Sequence, residues 1–127
     1  MTAWTKDEIS RIGESEEVDV AALTRDGSVR NRVTIWVVGH GEDLYVRSIR
    51  GRSGAWFRAV HGSADGRIWA GRLQRDVKFE EADPGINDEI DAAYRSKYRR
   101  YAGRILNSVL TPEARSTTLR LVPQQSR

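Results

Sequence analysis

The sequence contains no cysteine, which excludes disulfides, thiolate nucleophiles and thiolate-ligated zinc or iron–sulfur centres, and removes any need for an oxidising compartment. A cytoplasmic location is expected. Runs of about 18 apolar residues, the length needed to cross a bilayer, are also missing, and the opening MTAWTKDEIS has no apolar core flanked by basic residues. Neither a spanning helix, a signal peptide nor a membrane partner is expected. The two histidines, His40 and His61, lack a second ligand at H-x-x-x-H or H-x-x-E spacing, so no metal site is expected. There is no Gly-x-Ser-x-Gly elbow for serine catalysis and no Gly-Lys-Ser/Thr phosphate loop. Internal repeats and low-complexity segments are absent.

What is present is charge. Lys and Arg total 21 against 18 Asp and Glu, a net charge of +3. The basic excess is local rather than global, which argues against a nucleic-acid partner. A length of 127 residues suits one domain spanning 1–127, so a ligand site has to lie on a barrel, sheet or subunit surface.

The densest chemistry lies in Arg32–Arg58, RVTIWVVGHGEDLYVRSIRGRSGAWFR. Within it, Arg47-Ser48-Ile49-Arg50-Gly51-Arg52-Ser53-Gly54 is basic, small-residue-rich and placed just ahead of a helix start. Guanidinium forks, hydroxyls and free backbone N–H groups at a helix N-terminus all suit a phosphate. A solvated basic loop has the same composition, and both readings stand at this point.

Thr5 and Glu8 form a capping-box pattern and predict a short helix over 5–13. Val18, Val20 and Ala22 alternate with their neighbours as in a half-buried strand, and Asp26-Gly27 predicts a hairpin. A long strand follows, with Val29, Asn31, Val33, Ile35 and Val37 on one face and Arg30, Arg32, Thr34, Trp36 and Val38 on the other. Further strands are expected at Leu44–Ser48, Arg67–Leu73, Val77–Glu81 and Thr117–Val122, with a polar corner at Gln74–Asp76. Helices are expected over Ala55–His61, from Asp83-Pro84 to about Tyr101, and around Ile105–Leu110. Residues 124–127 read as a disordered tail. Six short, mostly antiparallel strands with outer helices predict an α+β fold built on a small closed or partly split barrel.

Three aromatic groups are candidates for a planar ligand or for the core: Trp36, which shares a face with Arg32 and Thr34; Trp56 at the helix start; and Tyr94, Lys97, Tyr98 and Tyr101 along one helix side. Lys97 is the odd member of that stripe, able to extend to solvent, cover a ring or meet an anion. Asp88, Glu89 and Asp91 open the same helix, where its dipole favours carboxylates.

These segments resemble the flavin- and deazaflavin-binding split β-barrel superfamily that includes pyridoxamine-phosphate oxidases. TIWVVG, LYVRS, RGxxGxWFR, IDAAYRSKY and TLRLVP together are similar to an uncharacterised bacterial domain-of-unknown-function family placed beside it. Arg32–Val37 resembles the oxidase strand R-x-V-L-L-K, with Val37 at the lysine position. Leu44–Arg52 resembles the segment that holds the flavin phosphate, with Arg52 at its lysine. Trp56–Val60 echoes the W-Y-x-N-L of the deazaflavin branch without its asparagine. The resemblance implies a six-stranded split barrel and an FMN- or deazaflavin-dependent oxidoreductase acting on a small molecule. It also implies a homodimer with the cofactor near the subunit interface. It places Arg32, Thr34, Trp36, Arg47, Ser48, Arg50, Arg52, Ser53 and Trp56 at the cofactor and Tyr94, Lys97 and Tyr98 toward the substrate. The alternative is a non-enzymatic binder of a phosphorylated small molecule on a barrel that has lost redox activity.

Overall fold

The computed structural model describes residues 3–63 and 65–124. Thr5 caps α1 (Lys6–Glu14) as its sequence predicts: its hydroxyl accepts from the Glu8 N–H at 3.0 Å while the Glu8 carboxylate accepts from the Thr5 N–H at 3.0 Å. The helix passes through Gly13 and stops at Ser15, whose extended backbone ends the turn.

β1 (Val18–Leu23) and β2 (Val29–Ile35) form the expected hairpin, with Gly27 at φ 83° in the turn. The long alternating strand expected beyond it does not form. Between the pairs Val20–Val33 and Ala22–Arg30, Asn31 and Arg32 together oppose Ala21, and Asn31 takes φ 56°. This is a bulge, and it shifts the faces of the residues on either side of it. The strand then ends at Ile35, and after Trp36 and Val37 the chain begins β3 (Val38–His40), which pairs with β4 (Asp43–Val46).

β5 (Asp65–Ala70) and β6 (Leu73–Glu81) are joined by Gly71-Arg72, not by the polar corner expected at Gln74–Asp76. Gly71 supplies φ 60° at the first position of this two-residue loop, while Gln74, Arg75 and Asp76 pair with Trp69, Ile68 and Arg67. The last strand is β7 (Leu119–Pro123). Gln124, assigned to the tail, is anchored: its N–H donates to the Asp76 carbonyl at 2.8 Å. Residues 125–127 lie outside the described residues.

The strands form a seven-stranded antiparallel sheet in the order β2-β1-β5-β6-β7-β4-β3, one strand more than expected. β2 and β3 are its two edges, yet only Trp36 and Val37 separate them in sequence. Three Cα steps span at most about 11 Å. The edges therefore meet at that corner, and the sheet curls into a half-barrel.

Inside the curl, Val18, Val20, Val46, Ile68, Phe79, Leu119 and Leu121 pack against Trp56, Phe57 and Val60 of α2 (Ala55–Ser63). Each such side chain contributes about 1.5–3 kcal/mol on burial. The opposite face of β3 and β4, Val38 and Tyr45, is covered by Ile90 and Tyr94 of α3 (Asn87–Lys97), by Tyr98 just beyond it, and by Leu106 of α4 (Arg104–Asn107) with Val109. A short α5 (Pro112–Arg115), capped by Thr111, leads into β7. Among the described residues no helix is long and apolar enough to cross a membrane.

Candidate functional site

A cavity of about 510 Å³ opens where the half-barrel is incomplete, between β2, the loop after β4, the first turn of α2 and the end of α4. Its size suits a small ligand. As the edge of the sheet, β2 turns a row of backbone N–H and C=O groups toward this gap that no neighbouring strand uses.

Trp36 and Trp56 are the aromatic parts of the wall. Trp56 is nearly buried, with its ring edge-on to Phe57 at 6.3 Å. Trp36 is half-buried and stacks on Tyr98 with centroids 3.9 Å apart and planes 3° from parallel. The corner is clamped from behind. The Tyr98 hydroxyl accepts from the Val37 N–H at 3.2 Å and donates to the Glu16 carbonyl at 2.6 Å, while Lys97 Nζ donates to the Val37 carbonyl at 2.6 Å. Partial burial brings the Lys97 ammonium down to about 8, and burial pushes the phenols of Tyr94 and Tyr98 upward.

The arginines divide into three kinds. Arg47 is wholly enclosed: Nε donates to Thr118 Oγ1 at 2.9 Å, Nη1 to Asp91 Oδ1 at 2.5 Å and the Val109 carbonyl at 2.9 Å, and Nη2 to the Asn87 carbonyl at 3.2 Å and Asn87 Oδ1 at 3.3 Å. All five of its donors are used within the fold. Arg32 and Arg52 are held at the surface. Arg32 Nε donates to Asp19 Oδ2 at 2.9 Å with its guanidinium 3.9 Å from the Trp69 ring centroid, and Thr34 Oγ1 donates to the same carboxylate at 2.6 Å. The Thr34 and Arg32 bonds hold Asp19 below its ordinary range. Arg52 Nη2 donates to Glu81 Oε1 at 2.5 Å, outside the cavity wall, and this bond lowers the Glu81 pKa. Arg50 is exposed, stands in the wall and, unlike the other three, has no side-chain partner among the described residues.

Arg50 adjoins the start of α2. The Arg58 N–H makes the bond to the Gly54 carbonyl at 3.0 Å, so the N–H groups ahead of it are the open donors of a helix N-terminus, at the positive end of its dipole. Ser48 Oγ donates to the Gly51 carbonyl at 2.8 Å, which folds the loop back on itself. A Cβ on Gly54 would lie 2.6 Å from Ser48 Oγ, so glycine is what permits this approach.

Of the residues the sequence singles out, the wall brings together Arg32, Thr34, Trp36, Arg47, Ser48, Arg50 and Trp56, with Arg32, Thr34 and Arg47 already committed to protein partners. It does not include Arg52, Ser53, Tyr94, Lys97 or Tyr98. Ser53 Oγ donates to the Arg50 carbonyl at 2.9 Å, and Tyr94 is wholly buried. Sequence reasoning overlooks Glu17, Asn31, Ile105 and Ser108 in the wall. Asn31 carries a signal, since asparagine is enriched where φ is positive; nothing in the spacing marks Glu17.

Residues 8–121 match the model of a family described as uncharacterised proteins conserved in bacteria, DUF2255. The chain belongs to this family. No curated protein matches the sequence. Among solved structures, the DUF2255 chain is similar to the Agrobacterium tumefaciens protein Atu2129, of unknown function, at TM-score 0.63 and 11% identity. That match covers 98% of this chain and 56% of the other, so the chain spans little more than half of that protein's length. An FAD-binding protein from Mesorhizobium loti matches at TM-score 0.62 and 15% identity, over 98% of this chain and 91% of the other. An F420 reductase matches at 0.56 and 16%, over 96% and 97%. At these identities the likeness is one of fold. The same fold is found in a putative pyridoxamine 5'-phosphate oxidase from Listeria innocua, at TM-score 0.62 and 12% identity over 94% of this chain and 92% of the other.

Proposed function

We propose that this cavity holds FMN or a deazaflavin and that the protein is an oxidoreductase acting on a small molecule, working as a homodimer. The observation that carries the reading is that one cavity has both an unpaired arginine beside a helix N-terminus and two tryptophans in its wall. On this reading Arg50 and the first N–H groups of α2 hold the phosphate, and the Ser48 hydroxyl shapes the loop that carries them through its bond to the Gly51 carbonyl. Trp36 and Trp56 bound the ring, and the free edge of β2 offers alternating carbonyl and N–H groups to a heterocycle's polar rim. Arg47 acts indirectly by fixing the end of β4 from which the loop departs, and Arg32 and Thr34 brace β2 through Asp19. Tyr98 and Lys97 position Trp36 rather than touch substrate. When bound, the cofactor supplies hydride transfer; the chain supplies anchoring, ring placement and exclusion of water.

The purified protein's absorption spectrum, followed by turnover assays with nicotinamide donors after FMN or F420 loading, tests this. A flavin or deazaflavin band that bleaches on reduction and returns with an acceptor is expected; a colourless protein that takes up neither cofactor contradicts it.

One observation favours a second reading, a non-enzymatic binder of a phosphorylated small molecule. Arg52, at the position where the resemblance puts a phosphate-holding lysine, is committed to Glu81. This reading predicts a thermal shift with phosphorylated metabolites and no turnover.

A further inference from the structure

Four charged side chains stand in the cavity wall: Glu17, Arg32, Arg47 and Arg50. Asp19 neutralises Arg32 and Asp91 neutralises Arg47. Glu17 and Arg50 have no ion-pair or hydrogen-bond partner among the described residues. The wall therefore presents two unmatched charges of opposite sign, and an anionic cofactor group satisfies only one of them.

The two charges sit on different elements. Arg50 belongs to the loop that runs into α2. Glu17 immediately precedes β1, one step beyond the Val18–Ile35 pair, and shares the cavity wall with Trp36. Its charge also reaches the Tyr98 hydroxyl behind that indole, where it adds to the effect of burial. Tyr98 covers one face of Trp36 at 3.9 Å and Tyr101 packs on the indole at 5.3 Å, and the part of the ring that stays uncovered lines the cavity. A carboxylate without a counter-ion beside an indole is the pairing that attracts an organic cation, through Coulomb attraction to one and the ring quadrupole of the other. The remaining wall there, Val33, Ile35 and Ile105, is apolar and suits the hydrocarbon part of such a molecule.

Resting on the reading that a cofactor's anionic group takes the Arg50 end, we propose that the substrate is a small organic cation, a protonated or quaternary amine, received by Glu17 against Trp36. A carboxylate that was only solvated would show no preference among ligands of different charge.

Calorimetric titration with benzyltrimethylammonium and with neutral benzyl alcohol, in the full chain with and without FMN, tests the proposal. The cation is expected to bind about tenfold more tightly than the alcohol, a difference of about 1.4 kcal/mol. Glu17→Gln is expected to remove that preference while leaving FMN affinity within twofold, and Arg50→Ala to weaken FMN while leaving the cation's affinity intact. Equal binding of cation and alcohol, or a preference that survives Glu17→Gln, overturns it. FMN binding with no cation preference would retain the cofactor reading and remove the Glu17 site. Cation preference through Glu17 in a chain that takes up neither FMN nor F420 would do the reverse.

Discussion

Arg47 and Arg50 are three residues apart in one basic loop and have opposite fates. Arg47 follows Tyr45 onto the face of β4 that α3 covers, and its guanidinium is enclosed by Asp91, Asn87, Val109 and Thr118. Removing it strands the Asp91 carboxylate in the interior, where Arg115 Nε, 3.2 Å from the other oxygen, compensates only in part. Arg47→Ala is expected to destabilise the fold by about 3 kcal/mol, the low end for a broken buried pair, as read by urea denaturation. Arg50→Ala is expected to leave stability within about 0.5 kcal/mol, as for an ordinary surface change. Near-equal effects of the two would contradict this division. A second position with a sharp expectation is Gly66, where a Cβ would lie 2.2 Å from Phe79 Cε2 and 2.5 Å from the Ala21 carbonyl. Gly66→Ala is expected to cost at least about 2–3 kcal/mol through overpacking between β1 and β6; a denaturation midpoint equal to wild type would show that these strands yield. At this scale composition marks the arginines as interesting, but which of them is free depends on partners 44 and 29 residues away in sequence, Asp91 and Glu81.

At the scale of elements, the corner at Trp36-Val37 carries most of what the sequence conceals. Val29, Val33, Ile35 and Val37 keep a period of two that reads as one strand through the corner, although β2 is mostly exposed and ends at Ile35. Pattern alone cannot show that the chain changes edge there, since that is decided by which strands pair, a non-local property. Local signals with their own physics are legible: the capping box of α1 and the Asp26-Gly27 hairpin; the helix expected to run to Tyr101 stops at Lys97, so only part of its aromatic stripe lies on α3. The turn signal at Gly71 is missed because the polarity of Gln74–Asp76 imitates a corner, although these residues lie in the strand with their backbone paired.

The clamp behind that corner gives a pH prediction. Burial holds Lys97 at about 8 against 10.5 in the unfolded chain. Between these values the unfolded state binds more protons, so this group's contribution to stability rises with pH from about 8, while below 8 the cost of burying the ammonium is fully present. Tyr94 and Tyr98 oppose this near pH 10, where the unfolded phenols ionise first. Denaturation midpoints at pH 7.5 and 9.5 are expected to rise for wild type relative to Lys97→Met; parallel changes in the two proteins would remove Lys97 as the source.

For the whole molecule, the half-barrel is what makes a site available. A fully closed barrel would pair β2 and β3 along their lengths; here the edges meet only at one corner, and the remaining gap is the cavity. Its rim exposes Ile49 and Ile105, at 61% and 57%, apolar surface that a second copy would cover. Sedimentation equilibrium is expected to give twice the chain mass of 14.4 kDa, and Ile49→Lys with Ile105→Lys to return it to one; a monomeric wild type would contradict the dimer.

The central claim is that the Arg50 end of this cavity anchors the phosphate of a flavin-type cofactor. Titrating the protein with FMN and with riboflavin, which differ by that phosphate, tests it most directly, with F420 as a further titrant. Wild type is expected to bind FMN at least about tenfold more tightly than riboflavin, as a charge-assisted hydrogen bond worth about 1.5–3 kcal/mol requires, and Arg50→Ala to abolish the difference. Failure of FMN, riboflavin and F420 all to bind at high micromolar concentration, or an FMN preference undiminished in Arg50→Ala, would contradict it.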